Sequence, residues 1–326
     1  MFFQSWIFRA WYGGMMLLWL ALFGWLSSLS FLLDHWFYPA IMVLGAFVAG
    51  LTPEGGGAVA FPVLSVFLDI DRATARDFSL MIQSVGMTSA SVWILSRKGA
   101  DLAAYAPVLW FVPVAFIGFV VGMLLLQEIP TFIIQALFLS LILTFALAYA
   151  WSRHRGTRTR LHVSDLTDRV ALLLVLFAGG LCASLFGTGA DIVLYTLLVT
   201  RFRMNEKIAT QQSILLMAAV SVAGSLYRAL WDAGLTGEQV QTWLCAYPVV
   251  LIMAPLGSYA LSRVRTDWML WGLVALNLFQ MAYFNLKAPS LEKALVSGCF
   301  SLILFAVFWV TLARMAGSEP RRSDRR

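Results

Sequence analysis

Ten stretches without a single charged residue follow one another along this chain, at 15–33, 36–53, 78–96, 102–127, 129–152, 170–190, 208–227, 239–262, 268–286 and 294–313. About 20 apolar residues in a helix cross a bilayer core, so nearly every stretch is long enough to span. With 60% hydrophobic and 12% charged residues, the chain cannot cover a water-facing surface as a soluble domain does, since such domains carry about 25% charge. Alternating ten-residue segments, the mark of a membrane β-barrel, are absent. The sequence therefore predicts an all-α, polytopic helical membrane protein. Its formal charge of +6 is carried by short loops and the tail, so it reports orientation in the membrane and not nucleic-acid binding.

Two of the stretches are broken by glycine. Gly50-Leu51-Thr52-Pro53-Glu54-Gly55-Gly56-Gly57 interrupts the second, and Gly187-Thr188-Gly189-Ala190-Asp191 ends the sixth. The breaks are related by an internal duplication. Gly56 falls on Gly189 and Glu54 on Gly187 at an offset of 133, whereas Ala75–Ser79 falls on Ala209–Ser213 at 134, with Ser91 on Ser225. The predicted organisation is an N-terminal transmembrane helix (1–35), repeat 1 (36–151), a basic cytoplasmic linker (152–168), repeat 2 (169–286), a C-terminal transmembrane helix (287–315) and a basic disordered tail (316–326). The apolar run behind Arg9 superficially resembles a signal peptide. It is long and lacks a small-residue cleavage site, so an uncleaved first span is expected.

Lys and Arg in short loops orient the spans. If the linker with Arg153, Arg155, Arg158 and Arg160 is cytoplasmic, Arg97-Lys98, Arg201-Phe202-Arg203, Arg263 and both termini are cytoplasmic too. Segment 36–70 then begins and ends outside, and 169–200 begins and ends inside. Each repeat becomes a broken hairpin plus three spans. Three is odd, so the repeats are inverted and their hairpins come from opposite faces. Unwound backbone survives in hydrocarbon only where protein or water surrounds it, which draws both breaks to the repeat interface near the midplane.

The residues at the breaks suggest a binding site. Glycines let other groups approach the backbone, and a half-helix restarting after each break (58–68 and 192–199) points its first N–H groups into it. Two such termini suit a small oxyanion, which makes Gly55, Gly56, Gly57, Gly187, Thr188 and Gly189 candidate substrate-binding residues. Ser79 and Gln83 in repeat 1, with Gln212 and Ser213 in repeat 2, join them as polar groups on the helices that follow. Ser84, Ser91, Thr210 and Gln211 share their helical spacing. Glu54 and Asp191 are charged groups where charge is costly, with no Lys or Arg in the neighbouring spans, and burial favours the neutral form of an acid. Both are candidates for proton coupling. The alternative for Asp191 is to cap the half-helix behind it. Gly118 and Gly122 are expected to serve tight helix packing.

Other chemistries find little in the chain. Gly187-Thr188-Gly189 is no dinucleotide fingerprint, because no strand precedes it and no third glycine follows. No Gly-Lys-Ser/Thr loop is present, so ATP-driven transport by this chain alone is not expected. Cys182, Cys245 and Cys299 lie far apart inside spans, and His35, His154 and His162 fall in loops, without metal-ligand spacing. No catalytic residues, cofactor or metal are expected, and the chain is read as not an enzyme.

The pattern resembles the TauE/SafE family of membrane permeases, linked to sulfite and organosulfonate export. Gly50…Gly55-Gly56-Gly57…Pro62-Val63-Leu64, the helix starts Ala75…Ser79 and Ala209-Thr210…Ser213, and Arg97-Lys98-Gly99-Ala100-Asp101 ahead of Gly118 and Gly122 carry the likeness across about 40–285. Ala190-Asp191, Tyr195 and Glu54 depart from the family's usual glycines, proline and small residue. The resemblance implies a secondary transporter for a small anion, a sulfur oxyanion or organosulfonate, working by alternating access in a bacterial inner membrane. The alternative is a membrane-embedded accessory or assembly protein without transport of its own. The expected partners are the small anionic substrate and the lipid bilayer, with no nucleic acid. A homodimer stays open as the oligomeric state.

Overall fold

The computed structural model describes residues 2–3, 5–151, 156–232, 234–263, 266–287 and 289–317, without the side chains of 149, 151, 266–270 and 311–317. These residues fold into α1 (Trp6–Leu26), α2 (Leu29–Asp34), α3 (Phe37–Leu51), α4 (Gly57–Pro62) continuing as a π-helical turn (Val63–Phe67), α5 (Arg72–Ser96), α6 (Leu102–Tyr105), α7 (Val108–Leu125), α8 (Thr131–Trp151), α9 (Leu166–Phe186), α10 (Ala190–Thr200), α11 (Glu206–Leu230), α12 (Gly237–Leu261), α13 (Thr266–Lys287) and α14 (Leu291–Gly317). No strand forms among the described residues, and eight helices or helix pairs are long and apolar enough to cross a membrane. This is a polytopic helical membrane protein. Of the basic linker, 152–155 lie outside the described residues, as do 318–326 of the tail.

The first helix corrects the hydropathy reading. It starts at Trp6, not at residue 15, because Ser5 caps it by accepting the Phe8 N–H, and Arg9 sits in its second turn. It stops at Leu26, since Ser27 and Ser28 are extended and Ser28 caps a separate short helix through the Phe31 N–H. The uncharged stretch 15–33 is thus two helices.

End-to-end contacts sort the helix termini onto two faces. One holds the described part of the linker. There Arg158 N–H reaches Arg203 O (3.0 Å), Lys207 Nζ reaches Ser262 O (3.1 Å), and the Tyr105 hydroxyl donates to Gln211 Oε1 (2.6 Å). At the far face Lys287 pairs with Asp69 (2.6 Å), Gln239 Nε2 donates to Thr74 Oγ1 (3.2 Å), and Gln241 Nε2 to Leu26 O (2.8 Å).

On this frame each glycine break is the tip of a hairpin. Ala190 lies against Gly179, about two-thirds of the way along α9, and Arg201 just past α10 pairs with Asp168 near the start of α9 (2.7 Å). The α9–α10 segment therefore leaves and returns at the linker face. In the other half, Val59 lies beside Gly45, and Ile70 ends near Phe37 and Tyr38 around a shared pocket at the far face. α10 and the α4–π unit have 11 residues each, or about 16 Å, roughly half a bilayer core.

Packing between the halves is exchanged. α3 runs along α12 and α9 along α7, while α5 faces α11 and α8 faces α13. Glycines set these contacts at backbone distance. A Cβ on Gly50 would strike Ala254 O, and one on Gly257 would strike Phe47 O. Gly118 and Gly180 meet Phe177 O and Ala115 O in the same way, and Gly122 meets the Ser184 hydroxyl. Gly118 and Gly122 are packing glycines, as expected. Gly180→Ala is expected to cost about 1–3 kcal/mol through overpacking, read as a lower Tm in detergent. Gly13→Ala, with nothing within 4 Å of the added carbon, should leave Tm unchanged or slightly raised. Equal Tm values for the two variants would refute this account.

Candidate functional site

The two breaks meet inside the bundle. A carbon added to Gly55 would collide with Asp191 Oδ2 and lie 2.8 Å from Thr188 Oγ1 and 2.9 Å from Gln83 Oε1. One added to Gly57 would run into the Thr188 side chain and come within 3.1 Å of Gln83 Nε2. Gly55 (φ +71), Gly187 (φ +74) and Gly189 (φ +108) all hold left-handed backbone, which side chains adopt only at a cost. At these positions glycine is needed twice over, for backbone conformation and for contact.

Gln83 ties the halves together. From α5 its Nε2 donates to Ser79 O (3.1 Å) within its own helix and to Gly187 O (2.7 Å) in the opposite break. Its Oε1 accepts weakly from Thr188 Oγ1 (3.4 Å). Ser79 lines the same place, its Cβ 2.8 Å from a carbon built on Gly187, although its hydroxyl is spent on Ala75 O (2.8 Å). Gly55, Gly57, Ser79, Gln83, Gly187, Thr188 and Asp191 thus form one contact group. Gly56 does not reach the opposite break: a carbon added there would make ordinary contact with Ala49, Gln83 Cγ and Gly45 O. Gly189 faces Cys182, which carries no disulfide.

Asp191 lies inside the first turn of α10, not ahead of it, because Gly189 takes the N-cap position. Its Oδ1 accepts the N–H of Gly189 (3.2 Å) and of Ile192 (3.1 Å). The carboxylate thereby occupies amides that a bound oxyanion would use, and it complements the positive end of α10. Its Oδ2 has no hydrogen-bond partner. Glu54, also wholly buried, accepts from Asn277 Nδ2 through Oε1 (2.9 Å), while its Oε2 has no partner. Unpartnered buried carboxylate oxygens are costly, and such atoms call for a functional explanation.

Several polar residues have local occupations instead. Ser84, Ser91 and Thr210 donate to carbonyls of their own helices. Gln211 accepts from Tyr105 and, at 3.3 Å, from Arg97. Gln212 donates to Ala104 O (2.5 Å) at the linker face, with its Oε1 unpartnered, and Ser213 Oγ is buried without a partner.

Sequence reasoning overlooked α13. Asn277 also reaches Ile142 O (3.1 Å), and Gln280 Nε2 donates to Ala58 O at the start of α4 (3.1 Å). Both are buried, one turn apart, so α13 fastens the repeat 1 break. They are two of the three side-chain amides in the uncharged stretch 268–286, which were the available signal. It also overlooked a buried ion cluster. Asp77 pairs with Arg76 (2.8 Å) and with Arg228 (2.7 Å), Arg228 pairs further with Asp232, and Arg76 Nη1 meets Gln127 Oε1 (2.5 Å).

A cavity beside the break, lined by Met42, Ala46, Gly56, Gln83, Gly86 and Val250, measures about 10 Å³. That admits one water at most. Among the described residues no three His, Cys, Asp or Glu side chains stand together as a metal centre needs.

No curated protein and no solved structure matches the chain. The sequence model of the sulfite exporter TauE/SafE family matches residues 38–284, which takes in both hairpins, both sets of following helices and most of α13. With well over half of its length matched and both glycine breaks inside the match, the chain is a membrane transporter belonging to the sulfite exporter TauE/SafE family.

Proposed function

We propose that the protein is a secondary transporter for a small anion of the sulfur-oxyanion or organosulfonate class, and that the substrate binds where the two glycine breaks meet. The observation that carries this reading is the apposition of Gly55 and Gly57 to Thr188, Gln83 and Asp191, brought together from hairpins that begin and end at opposite faces. Such hairpins, with the packing exchanged between halves, support an inverted repeat whose rocking exposes one midplane site to either side. The linker face carries Arg97, Lys98, Arg160, Arg201, Arg203, Lys207 and Arg263. That excess supports a cytoplasmic linker face, cytoplasmic termini and residence in a bacterial inner membrane.

Asp191 has the role of an internal anion in this reading. Its carboxylate holds the Gly189 and Ile192 amides until a substrate oxyanion displaces it, and Glu54 carries the coupled proton. Both acids have one oxygen left open for a proton or a donor. Uptake of sulfite, thiosulfate, sulfoacetate and simple carboxylates into proteoliposomes, with and without a proton gradient, tests substrate and coupling together. Gradient-dependent flux of a sulfur anion is expected. Absence of flux for every member of the panel from folded protein would favour an accessory role instead.

Glu54→Gln isolates the proton. Glutamine keeps an oxygen for Asn277, so the fold should hold while flux loses its dependence on pH. Flux that still follows pH as in the parent would remove Glu54 from the coupling mechanism.

A further inference from the structure

At the linker face, the ends of α5 and α12 and the start of α1 enclose a pocket of about 220 Å³ that the transport site does not use. Its lining is Phe2, Ser5, Trp93, Arg97, Lys98, Tyr259, Ser262 and Arg263. Three cations and the hydroxyls of Ser5, Ser262 and Tyr259 line the pocket, and no Asp or Glu does so among the described residues. The aromatic residues form its apolar wall. Phe2 stacks near Trp93 (6.2 Å between ring centres), Tyr259 meets both edge-on, and the Arg263 guanidinium lies over Tyr259 at 4.4 Å. The Trp93 indole N–H is held by Phe2 O (3.2 Å), which fixes the wall to the chain's N-terminal segment.

The charge balance favours an anion. α5 and α12 both end here, and each helix C-terminus contributes about half a negative charge. Together these amount to about one unit against the three full positive charges of Arg97, Lys98 and Arg263. Arg97 spends one weak hydrogen bond on Gln211 (3.3 Å), which leaves most of its donors to the pocket. A fork of guanidinium donors, an ammonium and the Ser5 hydroxyl form a donor set that a tetrahedral phosphate accepts from, while the Ser262 hydroxyl donates to Tyr259 O (2.6 Å). Basic pockets between transmembrane helices at the cytoplasmic side are where anionic head groups lodge, and aromatic walls at that depth suit the glycerol and upper acyl region.

We propose that this pocket binds a phosphate group at the membrane surface, separate from the transported anion. The phosphodiester of an anionic phospholipid and free inorganic phosphate present the same chemistry. A lipid would also cover the Phe2, Trp93 and Tyr259 rings. An occupant would clamp α1 to the ends of α5 and α12, the two helices that carry Gln83 and the Gly50 contact.

Retention of phosphatidylglycerol by the purified full chain, measured by native mass spectrometry and by Tm in phosphatidylcholine nanodiscs with and without the anionic lipid, tests the proposal. Tm with millimolar inorganic phosphate in detergent forms the second arm. The expected result is retained lipid and a raised Tm in the parent protein. Binding should be about fivefold weaker in Lys98→Gln or Arg263→Gln and roughly thirtyfold weaker in the double variant, with Arg9→Gln, outside the pocket, unchanged. Stabilisation by inorganic phosphate that the double variant also loses supports the phosphate site and assigns it to the free ion. Equal lipid retention and equal Tm shifts in the parent and the double variant overturn the proposal, and so does a loss as large in Arg9→Gln.

Discussion

Gly55→Ala is expected to abolish transport while Gly56→Ala, one residue along, leaves it near the parent rate. Gly55 sits at φ +71, where a side chain costs about 1–2 kcal/mol. Its new methyl would collide with Asp191 Oδ2 and crowd Thr188 Oγ1 and Gln83 Oε1. Overpacking of this kind adds about 1–3 kcal/mol. Together these terms shift the population with apposed breaks by roughly thirtyfold or more. Gly56 has φ −69, and its added carbon would meet Ala49 at 3.4 Å, Gln83 Cγ at 3.6 Å and Gly45 O at 3.7 Å, which is ordinary contact. Flux per folded transporter in proteoliposomes, with folding checked by size-exclusion profile, measures both. Equal flux from the two variants would mean that the breaks need not meet for transport.

That contrast also marks how far the sequence could be read. The glycine runs could be read as breaks because glycine interrupting an uncharged span has few other uses, and the duplication signalled that they belong together. Which glycine faces the opposite break was not legible. Gly55 and Gly57 press against the opposite break, whereas Gly56 meets Ala49, Gln83 Cγ and Gly45 O at ordinary contact, a matter of one residue's rotation. Asp191 was expected ahead of its half-helix, but Gly189 takes the left-handed cap position and moves the acid into the first turn. Gln212 and Ser79 looked alike as polar residues near repeat-related helix starts. The structure turns Gln212 toward Ala104 at the linker face and sets Ser79 against Gly187. Asn277 and Gln280 stand out little in the sequence, because amides in a span often serve only to bridge helices. The ion cluster was not legible either, since Asp77 and its partner Arg228 lie 151 residues apart along the chain.

Asp77→Asn is expected to be the most damaging single change outside the breaks. Asp77 is fully buried between Arg76 and Arg228, joining the start of α5 to the end of α11. Removing one partner of such a cluster leaves buried positive charge poorly compensated, at a cost of about 3 kcal/mol or more. Asp232 and Gly234 O still engage Arg228, which argues for the lower end of the range. The repeat offset of 134 that carries Ser79 onto Ser213 carries Asp77 onto Gln211. At the linker face Gln211 takes the corresponding place between α11 and the end of α5, holding Tyr105 and Arg97 by neutral-acceptor hydrogen bonds. An ion cluster thus joins the helix ends at one face and an amide joins them at the other. In the alternating-access reading, Asp77→Asn should therefore lower Tm and favour opening of the far face. A cysteine placed at Ser79 would then label faster from that face, and Arg228→Gln added to Asp77→Asn should cost less than the two single losses summed. Strict additivity of the two Tm losses, or labelling at the parent rate, would show that the cluster does not hold this face shut.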